Sequence, residues 1–123
     1  METDKKHIVI IEDDSTLLTL LGKFLQAAGY RTTKLGMLSS MEDLLASNAD
    51  CFLVDEQLPN VTGHIICMLL KKKPETKEVP VILMSAFDEL EYFADLACAN
   101  TYLKKPFTKQ QLLDTVSSVL SVA

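Results

Sequence analysis

Four short predicted strands each end at a polar side chain, and this recurrence constrains the fold more than any other feature of the chain. His7-Ile8-Val9-Ile10-Ile11 runs into Glu12, Asp13 and Asp14. Cys51-Phe52-Leu53-Val54 runs into Asp55, and Val81-Ile82-Leu83-Met84 into Ser85. Tyr102-Leu103-Lys104 is followed by Lys105 and Pro106. The segments between these runs carry helical periodicity, and strict alternation of strand and helix argues βαβ units around a parallel sheet. In an open sheet of that kind, sites form outside the carboxyl ends of strands, at a switch point. If the runs are neighbours, a carboxylate cluster, a single carboxylate, a hydroxyl and an ammonium surround one crevice.

The helical segments can be placed from their apolar spacing. Residues 16–28 carry Leu17, Leu20, Leu21, Phe24, Leu25 and Ala28, with Ser15 as a candidate N-cap, Asp14 also reading as a cap, and Gly29 as the terminating glycine. Residues 30–34 are β-branched but weakly apolar and suit an edge strand. Ser39 or Ser40 opens a short helix with Met41, Leu44 and Leu45. Pro59 and Gly63 bracket a loop before a helix over 64–72, whose lysine run reads as a solvated end matched to the helix dipole. A strand over 79–84, a helix over 88–98, a strand over 101–104 and a last helix capped by Thr108 complete the pattern. That last helix turns Leu112, Leu113, Val116, Val119 and Leu120 inward. Five strands and five helices predict a flavodoxin-like doubly wound parallel α/β sheet of order 2-1-3-4-5. A closed barrel needs about 250 residues.

Composition removes several classes. The 123 residues suit one domain with its own core, and 48% apolar with 24% charged residues is ordinary for a globular protein. The net charge of −5 disfavours nucleic-acid binding, which needs a basic face. No run approaches the ~20 apolar residues of a membrane span, and no signal peptide precedes the first strand, so a cytoplasmic location without membrane insertion is expected. Cys51, Cys67 and Cys98 are odd in number, widely spaced and read as reduced core residues. The five methionines read as core filler. His7 and His64 lie in no acid-base constellation and are assigned to structure.

The crevice chemistry follows from charge. Clustered carboxylates repel unless one keeps its proton or a cation joins them. All-oxygen ligation without histidine or cysteine favours Mg²⁺, with Mn²⁺ as the alternative, over Zn²⁺. Asp13 and its neighbours suit the metal. Asp55, alone at a central strand end, suits a nucleophile that takes a phosphoryl group as an aspartyl-phosphate. Lys105 offers a mobile positive charge and Ser85 a hydroxyl donor for the phosphoryl oxygens.

Ile11-Glu12-Asp13-Asp14, Asp55 through Gly63, Met84-Ser85-Ala86, and Tyr102 through Phe107 together resemble the receiver domain of two-component response regulators. The resemblance spans essentially the whole chain, residues 1–123, and implies a single receiver domain with no output domain. It implies Asp55 as phosphoacceptor and Mg²⁺ held by Asp13, by Glu12 through water, by Asp55 and by the backbone carbonyl of Gln57. It further implies that Lys105 pairs with the phosphoryl group, that Ser85 follows it on activation, and that Tyr102 is a switch aromatic. Gln57 and Phe87 occupy the positions bordering the path of attacking water. The implied donor is a sensor histidine kinase or a histidine phosphotransfer protein. The implied output is a downstream protein bound by the fourth helix, fifth strand and fifth helix, with Glu91, Tyr92 and Tyr102. Dimerisation stays open, because the last helix carries no clear pairing code. Two departures from the family pattern stand out: Glu12-Asp13 replaces the commoner Asp-Asp, and Ala97-Cys98-Ala99-Asn100 lacks the glycine often found before the last strand.

Rival functions are weaker. A phosphohydrolase of the haloacid dehalogenase type needs a second acid two residues after the nucleophile, where this chain has Gln57. A flavodoxin cradles phosphate in an uncharged loop after the first strand, where this chain has three acids. A receiver-like binding module that is never phosphorylated keeps the fold without the switch.

Overall fold

In the computed structural model, residues 5–120 are described. The elements alternate as β1 (His7–Ile11), α1 (Ser15–Ala27), β2 (Arg31–Leu35), α2 (Met41–Leu45), β3 (Cys51–Asp55), α3 (Gly63–Lys71), β4 (Val81–Ser85), α4 (Leu90–Leu96), β5 (Thr101–Lys104) and α5 (Lys109–Leu120). All neighbouring strands are parallel, in the order β2-β1-β3-β4-β5. This is the doubly wound order expected from the sequence, with the switch point between β1 and β3.

Two-residue strand periodicity divides the core. Val9, Ile11, Phe52, Val54, Val81 and Leu83 pack with Leu44, Ile66, Leu70, Leu90 and Ala94, so α2, α3 and α4 cover one face. Ile8, Ile10, Leu53, Ile82, Met84 and Leu103 pack with Leu21, Leu25, Leu112 and Val116, so α1 and α5 cover the other. Every residue of β1, β3 and β4 is buried, while β2 at the edge is partly exposed. Among the described residues, no helix is long and apolar enough to cross a membrane.

Several boundaries differ from expectation. Of the two cap candidates, Asp14 and not Ser15 is the N-cap of α1, and its side chain accepts from the Leu17 amide. A carboxylate at this position satisfies an orphan amide and meets the positive helix end. Strand β4 starts at Val81, because residues before it close a turn through Val79 N–H to Thr76 O at 3.0 Å. Helix α4 starts at Leu90 rather than at 88: Asp88 instead pairs with Lys104 on β5, and Ser85 Oγ accepts from the Phe87 amide. Lys104 is thus an ion-pair partner. Lys71 is not simply solvated, since its ammonium donates to Val79 O at 3.0 Å and Asn100 Oδ1 at 2.8 Å. Met37 is 61% exposed and fills no core, and the expectation for Met1 lies outside the described residues.

The cysteines also divide. Cys51 and Cys67 are buried, and burial pushes their thiols up to about 12 and about 11, so both stay protonated at neutral pH. Cys98 is exposed. It occupies the position after the C-cap of α4 with φ 59°, where the chain reverses through Cys98 N–H to Asp95 O and Ala99 N–H to Ala94 O. Gly29 closes α1 in the same way with φ 99°. A side chain is disfavoured in the left-handed region, and glycine is the residue that such a helix end normally takes. Cys98→Gly is therefore expected to stabilise the protein by roughly 0.5–1 kcal/mol. Urea unfolding checks this through a raised midpoint at unchanged slope.

Candidate functional site

The carboxyl ends of β1, β3 and β5 converge on one cluster. Carboxylate oxygens of Glu12, Asp13 and Asp55 all lie within 4.8 Å of one another. Glu12 and Asp55 are 1% and 2% exposed, whereas Asp13 is open to solvent and gives the cluster its mouth. Lys105 reaches across the crevice: its Nζ donates to Glu12 Oε1 at 2.8 Å and to Asp55 Oδ1 at 3.1 Å. Its backbone amide donates to Ser85 O at 2.9 Å, which sets the lysine beside the end of β4. The peptide bond from Lys105 to Pro106 is cis.

Local folding explains the convergence. Glu12 follows β1 directly, its amide donates to Leu35 O at 3.1 Å, and its Oε2 accepts from the Asp14 amide at 3.2 Å. Asp55 is the last residue of β3, in register with Met84. Gly63 lets α3 approach that strand end. A Cβ at Gly63 would lie 2.4 Å from Asp55 O, a distance that no side chain tolerates against backbone.

The electrostatics are unbalanced. Burial raises the Glu12 pKa first, the hydrogen bond from Lys105 opposes this, and the Asp55 charge raises it again. For Lys105, burial works against the charged form, but the hydrogen bond to Glu12 and the charge of Asp55 outweigh it, so its pKa is raised. One ammonium faces three carboxyl groups. The donor set is entirely oxygen and partly open, which fits a hard divalent cation and not a soft one. Glu12, Asp13 and Asp55 are the side chains that could hold it.

Other candidate residues sit around this centre. Ser85 is fully buried, with its Oγ occupied by the Phe87 amide at 3.0 Å, and makes no hydrogen bond to the carboxylates. Gln57 is exposed at the start of the loop after β3. Phe87 is 43% exposed and Tyr102 is 38% exposed, so Tyr102 lies at the surface in this state. Sequence reasoning missed Glu56. It is buried immediately after Asp55, and its carboxylate bonds both the backbone amide and the ring of His64. The available signal was a second acid directly after a buried strand, which needs a donor partner. Nothing in the spacing to His64 marks that partner.

The geometry invites comparison with known proteins. The family profile described as "Response regulator receiver domain" matches residues 8–117. The phosphate regulon transcriptional regulatory protein PhoB of Rhizobium meliloti is 32% identical over 116 residues, covering 92% of this chain and 51% of that protein. The chain thus spans about half the length of this relative. The polar-differentiation response regulator DivK of Brucella ovis is 32% identical over 124 aligned residues, covering 96% of this chain and 98% of DivK. A crystal structure of a putative response regulator from Chloroflexus aurantiacus superposes with a TM-score of 0.84 at 28% identity, covering 96% of this chain and 99% of that one.

The Glu12 shift has a measurable consequence. Its folded-state pKa lies above the ordinary 4.5, so the folded protein holds this proton more tightly than the unfolded chain. The group's contribution to stability is fullest below pH 4.5 and falls as pH rises through the elevated value. The stability advantage of the native protein over Glu12→Gln is expected to shrink along that rise. Urea unfolding at a series of pH values checks it; an advantage that grows with pH would show that attraction to Lys105 outweighs burial.

Proposed function

Because the chain belongs to the response regulator receiver domain family of two-component signalling, we propose that it is a phosphorylation switch whose acceptor is Asp55. The observation that carries this reading is the Lys105 ammonium held between Glu12 and Asp55, beside the open carboxylate of Asp13. Asp55 has a free oxygen, Oδ2, among the described hydrogen bonds, and an ammonium already at Oδ1. The donor is a phosphohistidine on a sensor histidine kinase or a phosphotransfer protein.

In the transfer, a carboxylate oxygen of Asp55 forms a bond to phosphorus as the donor's N–P bond breaks. The electron pair of that bond returns to the imidazole, which takes up a proton. Asp13, Asp55, the Gln57 carbonyl and, through water, Glu12 would hold Mg²⁺, whose contribution would be charge neutralisation of the transferring group. Lys105 follows one phosphoryl oxygen without leaving the crevice, since its stem is anchored by the end of β5. The Ser85 hydroxyl, whose oxygen accepts from the Phe87 amide, turns its O–H to donate to another phosphoryl oxygen. Tyr102 then has reason to turn toward the space that Ser85 and its loop leave.

The output face is the α4-β5-α5 side. Tyr92 and Leu96 on α4 are 64% and 52% exposed, next to exposed Glu91 and the partly exposed Tyr102 on β5. Exposed aromatic and aliphatic side chains among charges suit recognition of a protein partner.

Two outcomes test the reading. Incubation with acetyl phosphate and Mg²⁺ is expected to add one phosphoryl group by intact mass. The adduct should be absent in Asp55→Asn and without divalent metal, and should form roughly 10²-fold more slowly in Lys105→Ala. No adduct under any donor or metal would leave a constitutive binding module. The second outcome concerns lifetime. Phe87 borders the path of attacking water and has no group to orient it, so Phe87→Glu is expected to lose phosphate several-fold faster. Equal or slower decay of the adduct in the variant would refute this.

A further inference from the structure

Glu56 is a buried acid that the proposed transfer does not use. It is 3% exposed and sits directly after Asp55. Its Oε1 accepts from the His64 backbone amide at 2.8 Å, and its Oε2 pairs with His64 Nδ1 at 2.5 Å. His64 is the second residue of α3, whose N-cap Thr62 makes no side-chain capping bond. Glu56 therefore supplies, from the far side of the loop, the cap that Thr62 does not. Its backbone is held as well: Glu56 N–H donates to Met84 O at 2.7 Å, and Gly63 N–H donates to Glu56 O at 3.0 Å.

The chain of contacts continues into α4. The His64 ring stacks on Phe93 with centroids 4.8 Å apart and planes 12° from parallel. Phe93 meets Tyr92 edge-on at 5.7 Å, and Tyr92 is the most exposed large aromatic of that helix. Helix α4 is also weakly held. It has only seven residues, its N-cap Glu89 makes no side-chain bond, and it ends in the left-handed Cys98. Short, poorly capped elements open at low free-energy cost and are the ones recruited as moving parts.

We propose that Glu56, His64 and Phe93 form a side-chain relay that couples the Asp55 segment to the position of α4. A buried carboxylate gripped by two donors on one residue cannot turn independently of that residue. Displacement of the strand end after Asp55 therefore carries the first turn of α3 with it. The His64 ring then moves against Phe93, whose stacking has a preferred geometry. The relay rests on the reading of Asp55 as phosphoacceptor and adds a route by which its state reaches α4. It is distinct from the Ser85 and Tyr102 exchange, since it leaves the crevice on the α3 side.

The test uses beryllofluoride, which adds to a carboxylate oxygen as a tetrahedral mimic of the phosphoryl group, together with Mg²⁺. Hydrogen exchange of the α4 amides is followed in the native protein, in Phe93→Leu and in Glu56→Gln. Phe93→Leu keeps an apolar side chain and loses the stacking; Glu56→Gln keeps a capping oxygen and loses the carboxylate that faces the His64 ring. Thermal unfolding establishes that each variant folds, and either one that does suffices. The native protein is expected to change α4 exchange on binding. The variants are expected to bind beryllofluoride as the native protein does, while the α4 response shrinks by about 2- to 30-fold. A full α4 response in the variants would overturn the relay alone. So would loss of beryllofluoride uptake in Phe93→Leu, which would place these side chains in acceptor geometry rather than in transmission. If the native protein takes up no beryllofluoride, the phosphoacceptor reading falls and the relay falls with it.

Discussion

Burial of the central strands on both faces governs this structure. β1, β3 and β4 are covered by α1 and α5 on one side and by α2, α3 and α4 on the other. Polar side chains are costly along them, and apart from His7 at the start of β1 the polarity collects where the strands leave the core. The register then aligns those exits. Asp55 lies beside Met84, and Ser85 lies beside Lys104, so the groups after neighbouring strands emerge together. The crevice is thus a consequence of packing before it is a site of chemistry. The close approach at Gly63 belongs to the same constraint, because α3 can begin against Asp55 only where no Cβ intervenes.

Legibility of the fold follows from the same physics. Apolar runs ended by acids, a hydroxyl and a lysine were readable as strand exits, and strict alternation with helical periodicity pointed to a doubly wound parallel sheet. The central cluster of Glu12, Asp13, Asp55 and Lys105 was readable for that reason. What could not be read depends on contacts distant in sequence. Asp88 looks like a good helix starter, yet Lys104 on β5 takes its carboxylate and α4 starts later. Cys98 looks like a core thiol by composition, but its place after the C-cap of α4 puts it at the surface. Lys71 looks like part of a solvated run, but Asn100 and the Val79 carbonyl hold it.

Glu56 marks the same boundary on the functional side. Beside Asp55 it could have been taken for another metal ligand. The fold turns it instead to the start of α3, where an amide and an imidazole satisfy it. Two adjacent acids at one strand end therefore do different work. One belongs to the ionic crevice, and the other ties the strand end to a helix. Asp55 closes β3 while Glu56 opens the bend after it, where bonds of its backbone to Met84 and Gly63 set it against α3.

The charge balance of the crevice gives the switch its energetic sense. Lys105 can pair with Glu12 and Asp55 together but cannot neutralise three carboxyl groups, and burial already works against ionisation of Glu12. The resting centre is electrostatically unsatisfied, and its native geometry is maintained by the packed sheet beneath it. A divalent cation held there would relieve that repulsion, and binding only the folded arrangement it would stabilise the native state by mass action. On the proposed function, a phosphoryl group on Asp55 would add negative charge and new acceptor oxygens. In the proposed transfer Lys105 and a bound cation would then redistribute, and the Ser85 O–H would gain an acceptor while its oxygen can still accept from the Phe87 amide. Little rearrangement of the core is required, because the groups that would change partner sit at the carboxyl ends of β3 and β4 or just after β1 and β5, beyond the apolar length of each strand. A rigid sheet that carries an unsatisfied rim can hold two arrangements of its loops at similar free energy, and that is the physical requirement for a switch.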